Sequence, residues 1–90
     1  MLFQISEERM KKVGELTFTA FAMARQSRHL TSKALVNEGI IPYRQKLYEV
    51  SKGKTRDYEY YRAIFTRCLQ ALPPESRQSL LLKMTTVLLE

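Results

Sequence analysis

Apolar residues recur at helical spacing along most of the chain. Ser6 can cap a helix, and Glu7 and Glu8 follow it in the first turn, where the helix dipole favours negative charge. Steps of three and four residues then connect Met10, Val13, Thr17, Ala20 and Ala24, with Leu16, Phe21 and Met23 beside them. Such spacing brings these side chains to one face of a helix. We therefore predict a first helix over residues 7–26.

A second, much shorter helix is predicted after a polar break in the pattern. Thr31 or Ser32 can supply its cap, and residues 33–38 provide barely two turns. Gly39 follows, and glycine is the residue type that most often ends a helix in the left-handed conformation. The second helix is therefore expected to stop at this glycine.

The next segment predicts a tight apolar corner and a third helix. Ile40 and Ile41 are too apolar for an exposed loop, and Pro42 suits the first position of a helix, where no amide partner is needed. The third helix is predicted over residues 43–52, with Gly53 closing it. Its inward face is expected to carry Tyr43, Leu47 and Val50, packed on Leu35, Ile40 and Ile41.

A fourth helix is predicted from a cap at Thr55 or Asp57 to near Leu72, where Pro73 and Pro74 must end it. Its inward positions are expected to be Tyr58, Tyr61, Phe65, Cys68 and Leu72, with Ile64 and Leu69 alongside.

A fifth helix is predicted over about residues 75–89, and its apolar residues cover more than one face. A terminal helix buries only one face on its own domain, so the surplus indicates a second chain. The predicted dimer interface consists of Leu81, Met84 and Leu88.

These elements and the composition together predict the fold class. The chain has 90 residues, of which 44% are hydrophobic and 27% charged, as in one small globular domain. The longest segment with strand-like alternation covers only residues 2–5. We therefore expect residues 1–90 to form a single all-α domain of five helices, lacking internal repeats and linkers.

The net charge of +6 has a definite location. Residues 25–67 hold ten basic and four acidic side chains, while the five basic and five acidic residues elsewhere cancel. One cationic face on a neutral scaffold is expected of a protein that meets a polyanion. Alternatively, the positive charge only keeps the protein soluble and happens to be unevenly distributed along the chain.

The reactive residue types argue against several functions. Cys68 is the single cysteine and His29 the single histidine, which excludes an internal disulfide and gives little support to a metal site or Cys-His catalysis. No paired carboxylates, Ser-His-Asp set or glycine-rich phosphate loop stands out, so neither an enzyme nor a cofactor is expected. The sequence has neither a secretory signal pattern nor a membrane-length apolar run, so we expect a cytoplasmic protein that does not contact a membrane.

Two short helices joined by an apolar corner are typical of a helix-turn-helix DNA reader. Residues 25–72 also resemble the lambda-repressor and Cro-like (Xre-type) helix-turn-helix family. The resemblance is carried, in chain order, by Arg25, Leu30-Thr31, Leu35, Gly39-Ile40-Ile41, Leu47, Val50 and Gly53-Lys54. It implies a lambda-repressor-like five-helix fold, binding of double-stranded DNA through the third helix, and a homodimer on a palindromic operator.

The resemblance also implies which side chains meet DNA. Arg44, Gln45 and Tyr48 would face base edges, because Arg can bind guanine and Gln adenine through two hydrogen bonds. Basic and hydroxyl side chains around them would contact phosphates. The candidate DNA-binding residues are Thr31, Ser32, Lys33, Tyr43, Arg44, Gln45, Lys46, Tyr48, Lys52, Lys54 and Arg56. An ordinary solvated surface is the alternative interpretation of these positions.

The leading hypothesis is a sequence-specific transcription regulator of phage, plasmid or bacterial type that occupies an operator as a dimer. A second hypothesis is a helical adaptor or anti-activator that binds a protein partner through the apolar fifth helix. A third, single-strand binding on Tyr58, Tyr60 and Tyr61, is less favoured because helical spacing explains Tyr58 and Tyr61 as core.

Overall fold

The computed structural model describes residues 6–27, 30–52 and 58–89. These residues form five α-helices: α1 (Glu7–Gln26), α2 (Ser32–Asn37), α3 (Lys46–Ser51), α4 (Tyr58–Gln70) and α5 (Pro74–Leu89). Within those ranges no strand is present. The predicted all-helical class and the order of the five helices are confirmed.

The first helix is the element on which most of the others pack. Its N-terminus is capped by Ser6, whose hydroxyl oxygen accepts the Arg9 backbone N–H at 3.2 Å. Every position of the predicted main stripe is buried, namely Met10, Val13, Thr17, Ala20 and Ala24. The Thr17 hydroxyl donates to the Val13 carbonyl at 2.8 Å, which satisfies this polar group inside the core. Three helices, α3, α4 and α5, pack against α1.

The corner after α2 has the hydrogen bonds of a Schellman motif. The Ile40 N–H donates to the Leu35 carbonyl at 2.9 Å, and the Gly39 N–H donates to the Val36 carbonyl at 3.0 Å. Gly39 has φ of 76°, as its predicted left-handed conformation requires. Ile41 is buried and Ile40 half-buried, so the apolar corner is confirmed.

The third helix is shorter than predicted and starts later, at Lys46 rather than directly after Pro42. The preceding residues form tight turns, in which the N–H groups of Lys46 and Leu47 donate to carbonyls three residues back, those of Tyr43 and Arg44, at 3.1 and 3.2 Å. Hydrogen bonds between residues three apart are characteristic of a 3₁₀-helix, which is wound more tightly than an α-helix. A proline at the start of a segment therefore did not make that segment α-helical.

The connection between α4 and α5 is fastened by one arginine. The Arg77 guanidinium donates to the carbonyls of Leu69 and Leu72 at 3.1 and 3.0 Å, and so satisfies backbone acceptors at the end of α4. Pro74 is the first residue of α5, one position earlier than predicted, where its missing N–H costs nothing. The predicted caps of α4, Thr55 and Asp57, lie outside the described residues, as does Gly53.

The core is continuous across the bundle. It joins the α1 stripe to Leu35 and Ile41 of the corner, Leu47 and Val50 of α3, Tyr61, Ile64, Phe65 and Cys68 of α4, Leu72, and Leu80 of α5. Tyr58, expected inside, is instead 39% exposed at the first residue of α4. None of the described helices has the length and apolar content needed to cross a membrane.

Replacing Gly39 by Ala should destabilise the protein by about 1–2 kcal/mol, because in the left-handed conformation the Cβ of an L-residue lies too close to the carbonyl oxygen that follows it. Space is not the limitation, since apart from Gly39 and its two chain neighbours no residue has an atom within 4 Å of the position a Cβ would take. Urea unfolding followed by circular dichroism measures the effect. Gly39→Asn is the matched control and should cost less, because Asn tolerates this conformation. Equal stability of Gly39→Ala and the wild type would contradict the interpretation of the corner.

Candidate nucleic-acid interface

Four buried side chains hold α2, the corner and α3 together. Leu35, Ile41, Leu47 and Val50 are each at most 2% exposed. Because Leu47 and Val50 occupy one side of α3, the opposite side is directed toward solvent. Tyr43, which was expected on the inward side, is 46% exposed and belongs to the turn before the helix. The predicted division of this segment is therefore confirmed for Leu47 and Val50 and wrong for Tyr43.

One hydrogen bond links the start of α2 to the turn that precedes α3. The Arg44 Nε donates to the Ser32 Oγ at 3.3 Å. Arg44 is exposed and Ser32 half-buried, so this contact lies at the surface. Thr31 caps α2 by accepting the Ala34 N–H at 3.1 Å, as predicted. Three predicted site residues from two segments are thus brought side by side.

Tyr43 contacts a carboxylate that the sequence analysis left out of the site. Its hydroxyl donates to the Glu49 Oε2 at 2.8 Å. This hydrogen bond to a negatively charged acceptor raises the pKa of Tyr43 above its ordinary value. Glu49 lies on α3, so the bond holds the exposed tyrosine ring against the side of the helix.

Two further aromatic contacts fix side chains around α3. The Lys46 ammonium lies 4.6 Å from the centre of the Tyr60 ring, a cation–π geometry that joins α3 to α4. The Tyr48 ring centre lies 6.0 Å from that of Phe18 on α1, yet Tyr48 remains 57% exposed. Tyr60 is half-buried beneath Lys46, and Tyr61 is fully buried, so the tyrosines of α4 do not present a shared stacking face.

The remaining predicted contacts are exposed or lie outside the described residues. Lys33, Gln45 and Lys52 are exposed. Gln45 is the N-cap residue of α3, and its side chain makes no capping hydrogen bond. Lys54 and Arg56 lie outside the described residues.

An ion pair ties the end of α2 to α4. The Arg67 guanidinium donates to both carboxylate oxygens of Glu38, at 2.7 and 3.2 Å. The hydrogen bond and charge of Arg67 lower the pKa of Glu38, and the same contact raises the pKa of Arg67. The pair therefore fixes the C-terminal end of α2, whereas the Thr31 cap stabilises its N-terminal end.

The predicted dimer residues on α5 differ in exposure. Leu81 is 45% exposed, whereas Met84 and Leu88 are half-buried and pack against the core. Met84 and Leu88 also line an apolar cavity of about 130 Å³, together with Val13 and Phe65. Two leucines outside the predicted set are the more exposed ones, Leu82 at 69% and Leu89 at 81%.

Cys68 is fully buried, as expected of a small apolar side chain. Burial raises the pKa of its thiol to about 12, so the sulfur stays protonated at neutral pH. Across the described ranges, no three His, Cys, Asp or Glu side chains converge in a way that could hold a metal ion. His29 lies outside those ranges.

Sequence reasoning missed the partners that hold the predicted site side chains. Glu49, Phe18 and Tyr60 come from α3, α1 and α4, and each contacts a predicted site residue. No spacing rule connects Phe18 with Tyr48 or Tyr60 with Lys46, because these contacts depend on how the helices cross. Phe18 had one local signal, since it widens the α1 stripe three residues before Phe21.

Comparison of the chain with protein-family models, with curated proteins and with solved structures finds no match.

The Glu38–Arg67 pair predicts a specific pH dependence of stability. A carboxylate with a lowered pKa in the folded state contributes stability above its unfolded pKa, near 4.5, and loses it as the pH falls through the folded value. Glu38→Gln should therefore be less stable than the wild type at neutral pH, by a small amount because the pair is exposed. Urea unfolding of both proteins at several pH values measures the difference.

That difference should shrink below pH 4.5 and stay constant between neutral pH and pH 9. Arg67→Gln is the companion variant and should show the same pattern. A difference between wild type and Glu38→Gln that does not change with acid would show that the pair adds nothing through its charge.

Proposed function

We propose that this protein binds double-stranded DNA through the exposed side chains around α3 and the start of α2, and regulates transcription by occupying its site. The observation that carries the proposal is the Arg44–Ser32 hydrogen bond, which joins two polar segments on one surface. Buried Leu47 and Val50 beneath that surface give it a rigid support. Polar side chains on a supported helix suit a groove of fixed width.

The charge distribution supports a polyanion as the partner. All of the net charge of +6 falls within residues 25–67, which contain α2 and α3. Arg44, Lys33 and Lys52 are exposed there. Each lysine or arginine that meets a phosphate releases a condensed counterion, which favours binding to a nucleic acid over binding to a weakly charged protein.

The chemistry of the exposed residues divides into two tasks. Arg44 offers two parallel donors that match guanine, and Gln45 offers a donor and an acceptor that match adenine. Lys33 and Lys52 offer point charges for phosphates. The Glu49 carboxylate, which accepts a hydrogen bond from the Tyr43 hydroxyl, would repel phosphates and so disfavour a phosphate beside it.

The lambda-repressor-like arrangement of α2 and α3 belongs to this proposal. Their order, the buried corner and the Schellman motif support a helix-turn-helix unit. The late start of α3 shortens its regular part to six residues, so Arg44 and Gln45 precede the helix rather than occupying its first turn. A DNA-binding regulator of phage, plasmid or bacterial type would act in the cytoplasm, without a cofactor or a chemical step.

A protein adaptor remains the second candidate function, favoured by the exposure of Leu81, Leu82 and Leu89 on α5. Such an adaptor would bind its partner through α5 and would tolerate charge changes near α3. Substitution of Arg44 therefore distinguishes the two candidates, because it should weaken DNA binding and leave adaptor binding unchanged.

Arg44→Glu should weaken binding to duplex DNA by at least about tenfold, because it removes a donor pair worth roughly 1–3 kcal/mol and adds a repelling charge. Lys11→Glu is the matched control, since it makes the same charge change at an exposed position of α1. Gel shifts with random duplex fragments at low salt measure both variants, and circular dichroism verifies their folding.

Equal losses in the two variants would show that only total charge matters, and no binding by the wild type at low salt would overturn the proposal. Retained duplexes can be sequenced to read the preferred site.

The salt dependence of binding gives an independent measure. The logarithm of the wild-type affinity should fall linearly with the logarithm of salt concentration. Lys52→Ala should remove one phosphate contact and so reduce the magnitude of that slope by roughly 0.9. The loss of affinity should be similar for every duplex sequence. Lys11→Ala should leave the slope unchanged. A wild-type slope near zero would contradict a phosphate-binding surface.

A further inference from the structure

The apolar cavity of about 130 Å³ lies between three helices, α1, α4 and α5. Its walls are formed by Val13 of α1, Tyr61 and Phe65 of α4, and Met84 and Leu88 of α5. The residues from α1 and α4 are buried, whereas the two from α5 are half-buried. The cavity therefore extends from the core toward the surface.

The size of the cavity suits one aromatic ring. An engineered cavity of about 150 Å³ with apolar walls stays free of water and binds benzene. Side chains that line an empty apolar space lose dispersion contacts on that side, and a guest of matching size restores them. A benzene-sized group is therefore the apolar guest that this cavity can hold.

The chemistry of the walls favours an aromatic over an aliphatic guest. The lining includes the rings of Tyr58, Tyr61 and Phe65 and the thioether of Met84. Aromatic rings attract one another in offset and edge-to-face arrangements, and a thioether packs favourably against the edge of a ring. An aromatic ring gains both kinds of contact in this cavity, and an aliphatic chain gains neither.

The exposed residues of the lining come from one side of α4. Tyr58, Arg62 and Thr66 are spaced by four residues, so they lie in a row along the helix. All three are exposed and therefore border the opening of the cavity. Each of these side chains can donate a hydrogen bond. Donors beside an apolar space suit a guest whose ring carries a hydrogen-bond acceptor.

Arg62 gives this opening a positive charge, and it is the one charged residue in the described part of the lining. It also borders a groove that contains Glu59, yet it forms no ion pair or hydrogen bond with any residue that the structure describes. Thr66 likewise forms no side-chain hydrogen bond within the described ranges, unlike Thr85 and Thr86, whose hydroxyls donate to helix carbonyls. The Arg62 guanidinium can therefore bind a carboxylate through two parallel hydrogen bonds.

We propose that this cavity binds a small aromatic carboxylate, whose ring enters the apolar space and whose carboxylate pairs with Arg62. The described lining comes from α1, α4 and α5, so the site is separate from the candidate nucleic-acid interface around α3. The proposal does not rest on DNA binding.

Phenylacetate is the probe, because it joins one benzene ring to one carboxylate. In an amide NMR titration of the full chain, the shifts should saturate and should be largest near Val13, Phe65 and Met84. A dissociation constant of about 1 mM or lower is expected of a ligand of this size.

Arg62→Gln separates the contribution of the charge from that of the ring. It should weaken phenylacetate binding by about threefold to tenfold and leave the binding of neutral phenylacetamide unchanged. Lys11→Gln is the matched control, since it removes one positive charge at an exposed position of α1 outside the lining. It should bind phenylacetate as the wild type does.

Met84→Trp should fill the cavity and abolish phenylacetate binding. The matched control is Leu82→Trp, which adds the same side chain to α5 at a position that is 69% exposed and outside the lining. Circular dichroism verifies that both variants are helical. If Met84→Trp does not fold, Leu88→Phe narrows the same cavity and should weaken phenylacetate binding.

Three results would overturn the inference. One is a wild type that shows no saturable shifts with phenylacetate up to about 10 mM, ten times the expected dissociation constant. Another is equal affinity for phenylacetate and either phenylacetamide or acetate, which would show that the charge or the ring adds nothing. The third is a folded Met84→Trp variant that binds phenylacetate as tightly as the wild type, which would place the ligand elsewhere. These titrations contain no nucleic acid, so their outcome is distinguishable from a failure of the proposed DNA binding.

Discussion

Burial of the α1 stripe is the interaction on which the rest of the structure depends. Ala20 and Ala24 are completely buried, and their small side chains let neighbouring helices approach α1 closely. The helices α3, α4 and α5 all pack on α1, so their relative directions follow from this one surface. Leu47 and Val50 are the buried residues of α3. Because they anchor α3 in the core around α1, the orientation of the candidate interface depends on α1.

Several side chains of the candidate interface are held in place by neighbouring residues rather than left free in solvent. Arg44 is tied to α2, Tyr43 to Glu49, and Lys46 to the ring of Tyr60. Each contact restricts side-chain rotation before any ligand arrives, which lowers the entropy that binding must overcome. The same contacts make the surface depend on three helices at once, since their partners come from α2, α3 and α4.

The molecule separates two surfaces with different chemistry. The excess positive charge lies in residues 25–67, around α2 and α3, whereas Leu82 and Leu89 lie on α5 in a charge-balanced part of the chain. A polyanion and an apolar partner would therefore meet different helices.

The sequence by itself determined the features that depend on local spacing and backbone chemistry. The bounds of α1, its cap at Ser6 and the left-handed Gly39 followed from helical period, side-chain capping and the φ preference of glycine. The tertiary structure alone decided the start of α3, the exposure of Tyr43 and Tyr58, and the pairing of Glu38 with Arg67. The Glu38–Arg67 pair joins residues far apart in the chain, and the exposure of a helix-end residue depends on what packs over it. Local sequence cannot specify either, because both are set by how the helices cross.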